Sequence, residues 1–293
     1  MGGDIKLMKT LIKFLFVTMI FVMVGKSTDA QILSKNPMND VVEKKHTKQS
    51  RPSSYHYIRE ADIMWQKRIW RDIDLKQKSN MGLYYPVIPH NDWKSFTTVI
   101  MDGIKEGAIT AYKDTQTNEF TIPLTYQELI DKMSTTETIS VPYYDEDGTM
   151  LYKDSVFTNV FEPSDIRIIR LKEDWFFDRQ RSVTEVRVLG VCFITEDTDE
   201  SGKWRGYSPE FWIYFPEARA TLAKSEMYNR GNRAARLSFD DVFQKRMFNS
   251  VVIKEDNVYD RYITDYMSGN DALYEAERVK NDMFEFEHNL WEY

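Results

Sequence analysis

Cysteine is almost missing from this chain of 293 residues: Cys192 stands alone. A single cysteine forbids an intrachain disulfide. With only His46, His56, His90 and His288, spread over four segments, it builds no zinc spacing either. Cys192 lies within an apolar run and has no histidine near it in sequence, so it is expected as a small buried hydrophobe rather than a nucleophile. The G-x-S-x-G, G-x-G-x-x-G and Walker A patterns are absent, which removes their nucleophile elbow, dinucleotide turn and phosphate cradle. Gly202-Lys203 follows nothing that would hold a phosphate. A basic excess is lacking too: the formal net charge is -7. An acidic chain argues against nucleic acid and anionic membrane as partners. Beyond the first 30 residues no apolar run is long enough to span a bilayer, and no internal repeat is visible.

What is present begins with a targeting pattern. Met8, Lys9 and Lys13 form a positive start, Leu11 to Val24 a short apolar stretch, and Thr28-Asp29-Ala30 a small-residue site. Residues 1–30 are therefore expected to be a signal peptide cleaved after Ala30, with Met8 a more natural start than Met1. No cysteine near that site provides a lipid anchor. Removing these residues leaves 35 basic against 44 acidic side chains. Residues 31–54 are polar, with Lys44-Lys45-His46 and Pro52, and read as a flexible arm. Residues 55–293 read as a single domain. The expected compartment is the periplasm.

Within that domain the stretch Trp175 to Arg219 is the densest in aromatic, β-branched and arginine residues. Val186 to Ile194 and Phe211 to Phe215 flank an acidic, glycine-containing turn at Asp197 to Gly202, which spells a β-hairpin with both faces partly covered. Earlier, Tyr57 to Leu75 carries Trp65 and Ile69 at helical spacing and is expected as a helix. Its Asp72 and Asp74 would then pair with Arg68 and Arg71. Asn91 or Asp92 is expected to cap a helix ending at Gly107, with Trp93, Phe96, Ile100 and Ile104 inward. Ile109 to Tyr112 reads as a short strand, and Thr125 to Glu128 is a capping box for a helix through Met133. Ile139 to Tyr144 and Thr149 to Tyr152 suit a hairpin over Asp145 to Gly148. Asp165 to Leu171 alternates as a half-exposed strand.

Further on, Pro216 opens a helix continuing through Tyr228, and Ser238 to Asp241 starts another. Val251 to Ile253 suits a strand, while Asp260 to Met267 and Ala272 to Trp291 suit helices. The fold class is thus α+β: a central antiparallel sheet of hairpins flanked by N- and C-terminal helices.

Chemistry-bearing candidates are few, and each has a structural reading beside it. Asp197 to Gly202 imitates the first half of a calcium loop but has Ser208 where the closing glutamate belongs, so a plain turn is expected. Arg179 and Arg181 suit a bidentate anion clamp or, equally, ties to Glu173, Asp174 or Glu217. Glu217 and Arg219 suit a helix start. No catalytic, cofactor or metal residue is assigned. The residues expected to carry structure or interaction are Trp65, Trp70, Arg71, Arg179, Arg181, Trp212, Tyr214, Glu217, Arg219 and Trp291. Arg179 is expected in a buried ion pair and Trp212 in the core. The alternative is a periplasmic ligand-binding protein or hydrolase using Arg179, Arg181 and nearby carboxylates.

Several segments taken together resemble one family. They are Arg59 to Asp62, Lys67 to Asp74, Arg179 to Arg181, Trp212 to Arg219, Ser238 to Phe243 and Glu287 to Tyr293. In this order they are similar to the GldN/PorN proteins of Bacteroidetes, over roughly Tyr57 to Tyr293. The resemblance implies a non-enzymatic periplasmic component of the type IX secretion and gliding motility machinery. It further implies association with a GldK/PorK-like outer-membrane lipoprotein, proximity to a GldM/PorM-like motor protein, self-association in a ring, and no cofactor.

Overall fold

The computed structural model describes residues 48–90, 93–115, 120–144, 150–159, 161–198, 203–232 and 234–290, all within the unit Lys44–Tyr293. The expected signal peptide, most of the expected arm, the caps Asn91 and Asp92, the acidic turn 145–148, most of the calcium-like turn and Trp291 lie outside the described residues.

In chain order the strands are β1 (Ile63–Asp74), β2 (Ala111–Lys113), β3 (Pro123–Leu124), β4 (Thr135–Tyr144), β5 (Met150–Asn159), β6 (Ile166–Asp178), β7 (Val183–Thr198), β8 (Trp204–Tyr214), β9 (Glu226–Met227), β10 (Leu237–Ser238) and β11 (Val251–Glu255). The helices are α1 (Met81–Tyr84), α2 (Phe96–Lys105), α3 (Tyr126–Met133), α4 (Phe215–Leu222), α5 (Phe239–Gln244) and α6 (Asn270–Asn289). Seven strands form one antiparallel sheet in the order β11-β1-β6-β7-β8-β2-β3, and β4 with β5 makes a separate hairpin. The class is α+β, as expected.

The register shows how the sheet divides its residues. Ile73, Ile169, Phe193 and Phe211 lie opposite one another on successive strands, as do Leu171, Val191, Ile213 and Ala111. These buried side chains meet α2, α4 and α5 in the largest core. Phe193 stacks between Phe96, at 5.8 Å, and Phe211, at 4.7 Å. The other side of the sheet carries Asp72, Arg170, Cys192, Trp212 and Tyr112 in one cross-strand row. Trp70, Ile168 and Ile194 complete a smaller core there. A third core holds Ile69 and Val252 under Ala276, Val279 and Met283 of α6.

The expected helix over Tyr57 to Leu75 is corrected: this stretch supplies β1, a full partner of β6. A spacing of four residues is shared by both structures, since it is close to one helical turn and equals two strand repeats. Trp65, Ile69 and Ile73 therefore fit either. Burial of Ile69, Arg71, Ile73 and Leu75 at every second position follows the strand repeat. The expected pairing of its charges is corrected with it: Asp72 binds Arg170 at 2.8 Å and Asp74 binds Arg167 at 3.2 Å, both across strands.

Helix ends were more legible, with one correction: Ser95, not Asn91 or Asp92, caps α2, while Gly107, at φ 72°, closes it as expected. The amide of Gly107 reaches the carbonyl of Ile104, and that of Ala108 reaches Gly103, the paired bonds of a left-handed helix stop. Trp93 is buried but precedes the helix. Capping boxes form at Thr125–Glu128 and Ser238–Asp241. The helix begun at Phe215-Pro216 ends at Leu222 instead of Tyr228, and α5 ends at Gln244. Asp260 to Met267 contains only a short 3-10 turn, Ile263–Asp265. The strand begun at Ile166 runs to Asp178 and is largely buried, because β1 and β7 enclose it.

Candidate functional site

Polar side chains within this fold gather at two places. The first is a seam between the large core and the α6 core. Glu173, fully buried, receives Arg246 through two hydrogen bonds of 2.9 and 3.1 Å and lies 3.3 Å from Arg71. Trp175 donates its indole N–H to the same carboxylate, and both guanidinium groups lie against its ring, at 5.6 and 5.2 Å. Two cations share one carboxylate. Burial lowers the Arg71 guanidinium from its ordinary value; Glu173 opposes that shift and Arg246 adds to it. Arg246 takes a φ of 54°, a costly conformation for a residue with a Cβ, and its paired bonds to Glu173 hold it there.

The second place is the start of β7. From Gly190 to Thr195 β7 lies between β6 and β8. Val183 to Leu189 pair with β6 alone among the described residues, because β8 stops at Tyr214 and the chain turns into α4. Pro216 has no amide hydrogen for a ladder and a φ suited to a first helical turn, so the departure is written locally. The vacated edge borders an open cleft of about 350 Å³, walled by α5 and by residues 54–56. Tyr55 is the post of this wall. Its ring lies 4.9 Å from the Arg187 guanidinium and 4.1 Å from that of Arg219, and its hydroxyl accepts from Gln244. Arg187 also donates to the His56 carbonyl at 2.6 Å and lies over Phe176. Arg219 is buried, grips Asp240 with bonds of 2.8 and 3.1 Å, and donates to the Ser53 carbonyl.

The sequence-singled residues are distributed between these places and elsewhere. Arg71 belongs to the seam, and Arg219 supports Tyr55 of the cleft wall. Trp65 stacks on Phe286 of α6 at 4.3 Å. Trp70 is buried beneath Lys254. Trp212 is buried, as expected, and donates to Asp114 at 2.6 Å; Tyr214 is half-open beside Phe120. Glu217 accepts the amide and hydroxyl of Thr110. Arg181 binds Asp178 and Glu185 across its own turn. Arg181's hydrogen bond holds the Asp178 carboxyl below its ordinary value against the opposing effect of burial. Arg179 is a correction: its side chain is exposed and only its amide is engaged, with the Asp62 carbonyl. It sits at the hairpin tip, where the buried Asp178 carboxylate is taken by Arg181.

Arg179, Arg181, Asp174 and Glu217 thus have separate surroundings, with Asp174 taken by Arg68 and Gln66. The ligand-binding alternative needed them to converge. Cys192 is buried, and burial pushes its thiol well above the ordinary value, in keeping with an inert packing residue. Sequence reasoning missed Tyr55, Arg187, Glu173, Asp240 and Arg246 as a working set. One signal was available: Arg187 interrupts an otherwise apolar strand run. Among the described residues no cluster of three His, Cys, Asp or Glu could hold a metal ion, and no helix is long and apolar enough to cross a membrane.

A family model described as "Gliding motility associated protein GldN" matches residues 58–292. No curated protein matches the chain.

Proposed function

The chain belongs to the GldN family of gliding motility associated proteins, and from that premise we propose that it is a non-enzymatic assembly subunit of the type IX secretion and gliding apparatus. The family match over residues 58–292 carries the reading. In this reading the signal peptide delivers the chain to the periplasm. A GldK/PorK-like lipoprotein holds it at the outer membrane, copies associate in a ring, and a GldM/PorM-like motor protein lies nearby.

The geometry is compatible with that role in a specific way. The charged side chains that invited chemical readings are used as fasteners: Arg71 and Arg246 on Glu173, Arg219 on Asp240, Arg68 on Asp174. A buried pair of this kind adds less to net stability than its contact distance implies, and its best-attested use is to fix one arrangement over others. A subunit that must present defined surfaces to several neighbours benefits from such rigidity.

Co-expression of the chain with a GldK-type lipoprotein, followed by affinity purification and electron microscopy, tests the proposal. Co-purification in a ring-like particle is expected. A chain that stays monomeric and leaves the lipoprotein behind overturns it.

A further inference from the structure

Among the described residues the edge of β7 from Val183 to Leu189 has β6 on one side and no strand on the other. We infer that Val183 to Leu189 takes an extended, carboxylate-bearing segment of another polypeptide chain as an added antiparallel or parallel strand. This deepens the assembly reading and rests on it, since it names the kind of contact a neighbour makes.

Three observations carry the inference. First, no backbone hydrogen bond joins these residues to any described residue other than those of β6. Seven residues of open edge span roughly 23 Å at the ordinary strand rise, enough for a short strand. Backbone groups on such an edge are a template for pairing. Second, the cleft beside this edge contains buried polar atoms left without a partner among the described residues: the Thr184 hydroxyl oxygen and the Arg187 Nε. Buried polar groups are nearly always satisfied, so the orphaned pair marks this end of β7 as incomplete among the described residues. Third, Arg187 is the cation of the cleft with no ion-pair partner among the described residues. Arg219 has Asp240, Arg246 has Glu173, and Arg181 has Asp178 and Glu185. Arg187 has only the His56 carbonyl and two aromatic rings. Its guanidinium, without a carboxylate partner among the described residues, suits one. Charge complementarity therefore selects an acidic strand.

The same face also resists indiscriminate pairing. Glu185 and Arg187 are charges on the open edge, and Tyr55 narrows the approach. Charged edge residues are a recognised means of keeping an open strand from generic sheet aggregation.

The probe is a capped heptapeptide of alternating valine and threonine with one central glutamate, offered to the chain. Binding is followed by fluorescence anisotropy, and its position by backbone hydrogen exchange. Saturable binding is expected, with slowed exchange at residues 184–188. Replacing the glutamate of the peptide by glutamine should weaken binding about tenfold, through loss of one charge-assisted contact. Arg187→Gln should weaken it by a similar factor. N-methylation of alternate peptide amides should abolish binding without any change to the protein, which guards against a variant that merely folds poorly. Equal binding by the N-methylated peptide, protection elsewhere on the chain, or no binding at millimolar peptide overturns the inference. A chain that joins the lipoprotein but ignores the peptide overturns strand addition alone. One that binds the peptide but leaves the lipoprotein behind overturns the assembly reading.

Discussion

The two halves of β7 have the same backbone and opposite surroundings. Gly190 to Thr195 is flanked by β6 and β8, and Val191, Cys192, Phe193 and Ile194 are all buried. Val183 to Leu189 is flanked by β6 only, and its side chains, Val188 apart, are half-buried. The boundary falls at Gly190, where Phe120 packs so closely that an added Cβ would lie 2.5 Å from its ring. The difference teaches that strand length and sheet width are decided separately. One strand continues past its neighbour, because Pro216 ends the neighbour. The half that gains two partners becomes core, and the half that keeps one becomes a surface with backbone to offer.

The comparison predicts graded responses to substitution. Phe193→Ala or Trp212→Ala, in the doubly paired half and the strand beside it, should cost about 3–5 kcal/mol of unfolding free energy. Urea unfolding monitored by circular dichroism reads that loss directly. Glu173→Ala and Arg219→Ala should come close behind, at roughly 3–4 kcal/mol, because each strands a buried partner charge. If the melt of Glu173→Ala matched that of the parent chain, the seam would be ornamental. In the singly paired half, Arg187→Gln should cost no more than about 1 kcal/mol, through its bond to His56 and its ring contacts. A loss as large as that of Phe193→Ala would erase the distinction between the halves.

Acid should act gently, at the β6–β7 hairpin tip and at the capped start of α3. Hydrogen bonds depress the folded-state values of Asp178, from Arg181, and of Glu128, from Thr125. A depressed carboxyl contributes stability that is complete above its unfolded value and is lost as pH falls through its folded value. Stability should therefore be flat from neutrality downward and decline below roughly pH 4. Urea midpoints at stepped pH check this, and Asp178→Asn should make the decline shallower. The smallest effect belongs to Arg179→Ala. An exposed side chain with no ion pair among the described residues should change stability by less than about 0.5 kcal/mol, and a calorimetric melt indistinguishable from that of the parent chain is the expected result.

The legible parts of the fold were those governed by near neighbours. Thr125 with Glu128, Ser238 with Asp241, and Gly107 after a helix each satisfy backbone groups three or four residues away, so a short window contains the whole cause. The apolar hairpin of β7 and β8 was legible because β-branched and aromatic runs flank a turn. The stretch Tyr57 to Leu75 was misread because helix and strand share a four-residue spacing, and because its charges looked solvated. Arg71 is buried only because Glu173, on the next strand, neutralises it. The candidate cleft was legible in one residue, Arg187, and illegible as a site.

By itself, then, the sequence determined the capped helices, the hairpins, the α+β class and, through ordered segments from Arg59 to the C-terminus, membership of the GldN family. Tertiary structure alone decided which charges are fasteners and which edge is open. Ion pairing depends on residues a hundred positions apart, such as Arg71 and Glu173, that no local window relates. The open edge depends on where β8 leaves its neighbour. A missing strand has no sequence signature in the strand it exposes; it is a property of the pairing, and pairing exists only once the sheet has formed.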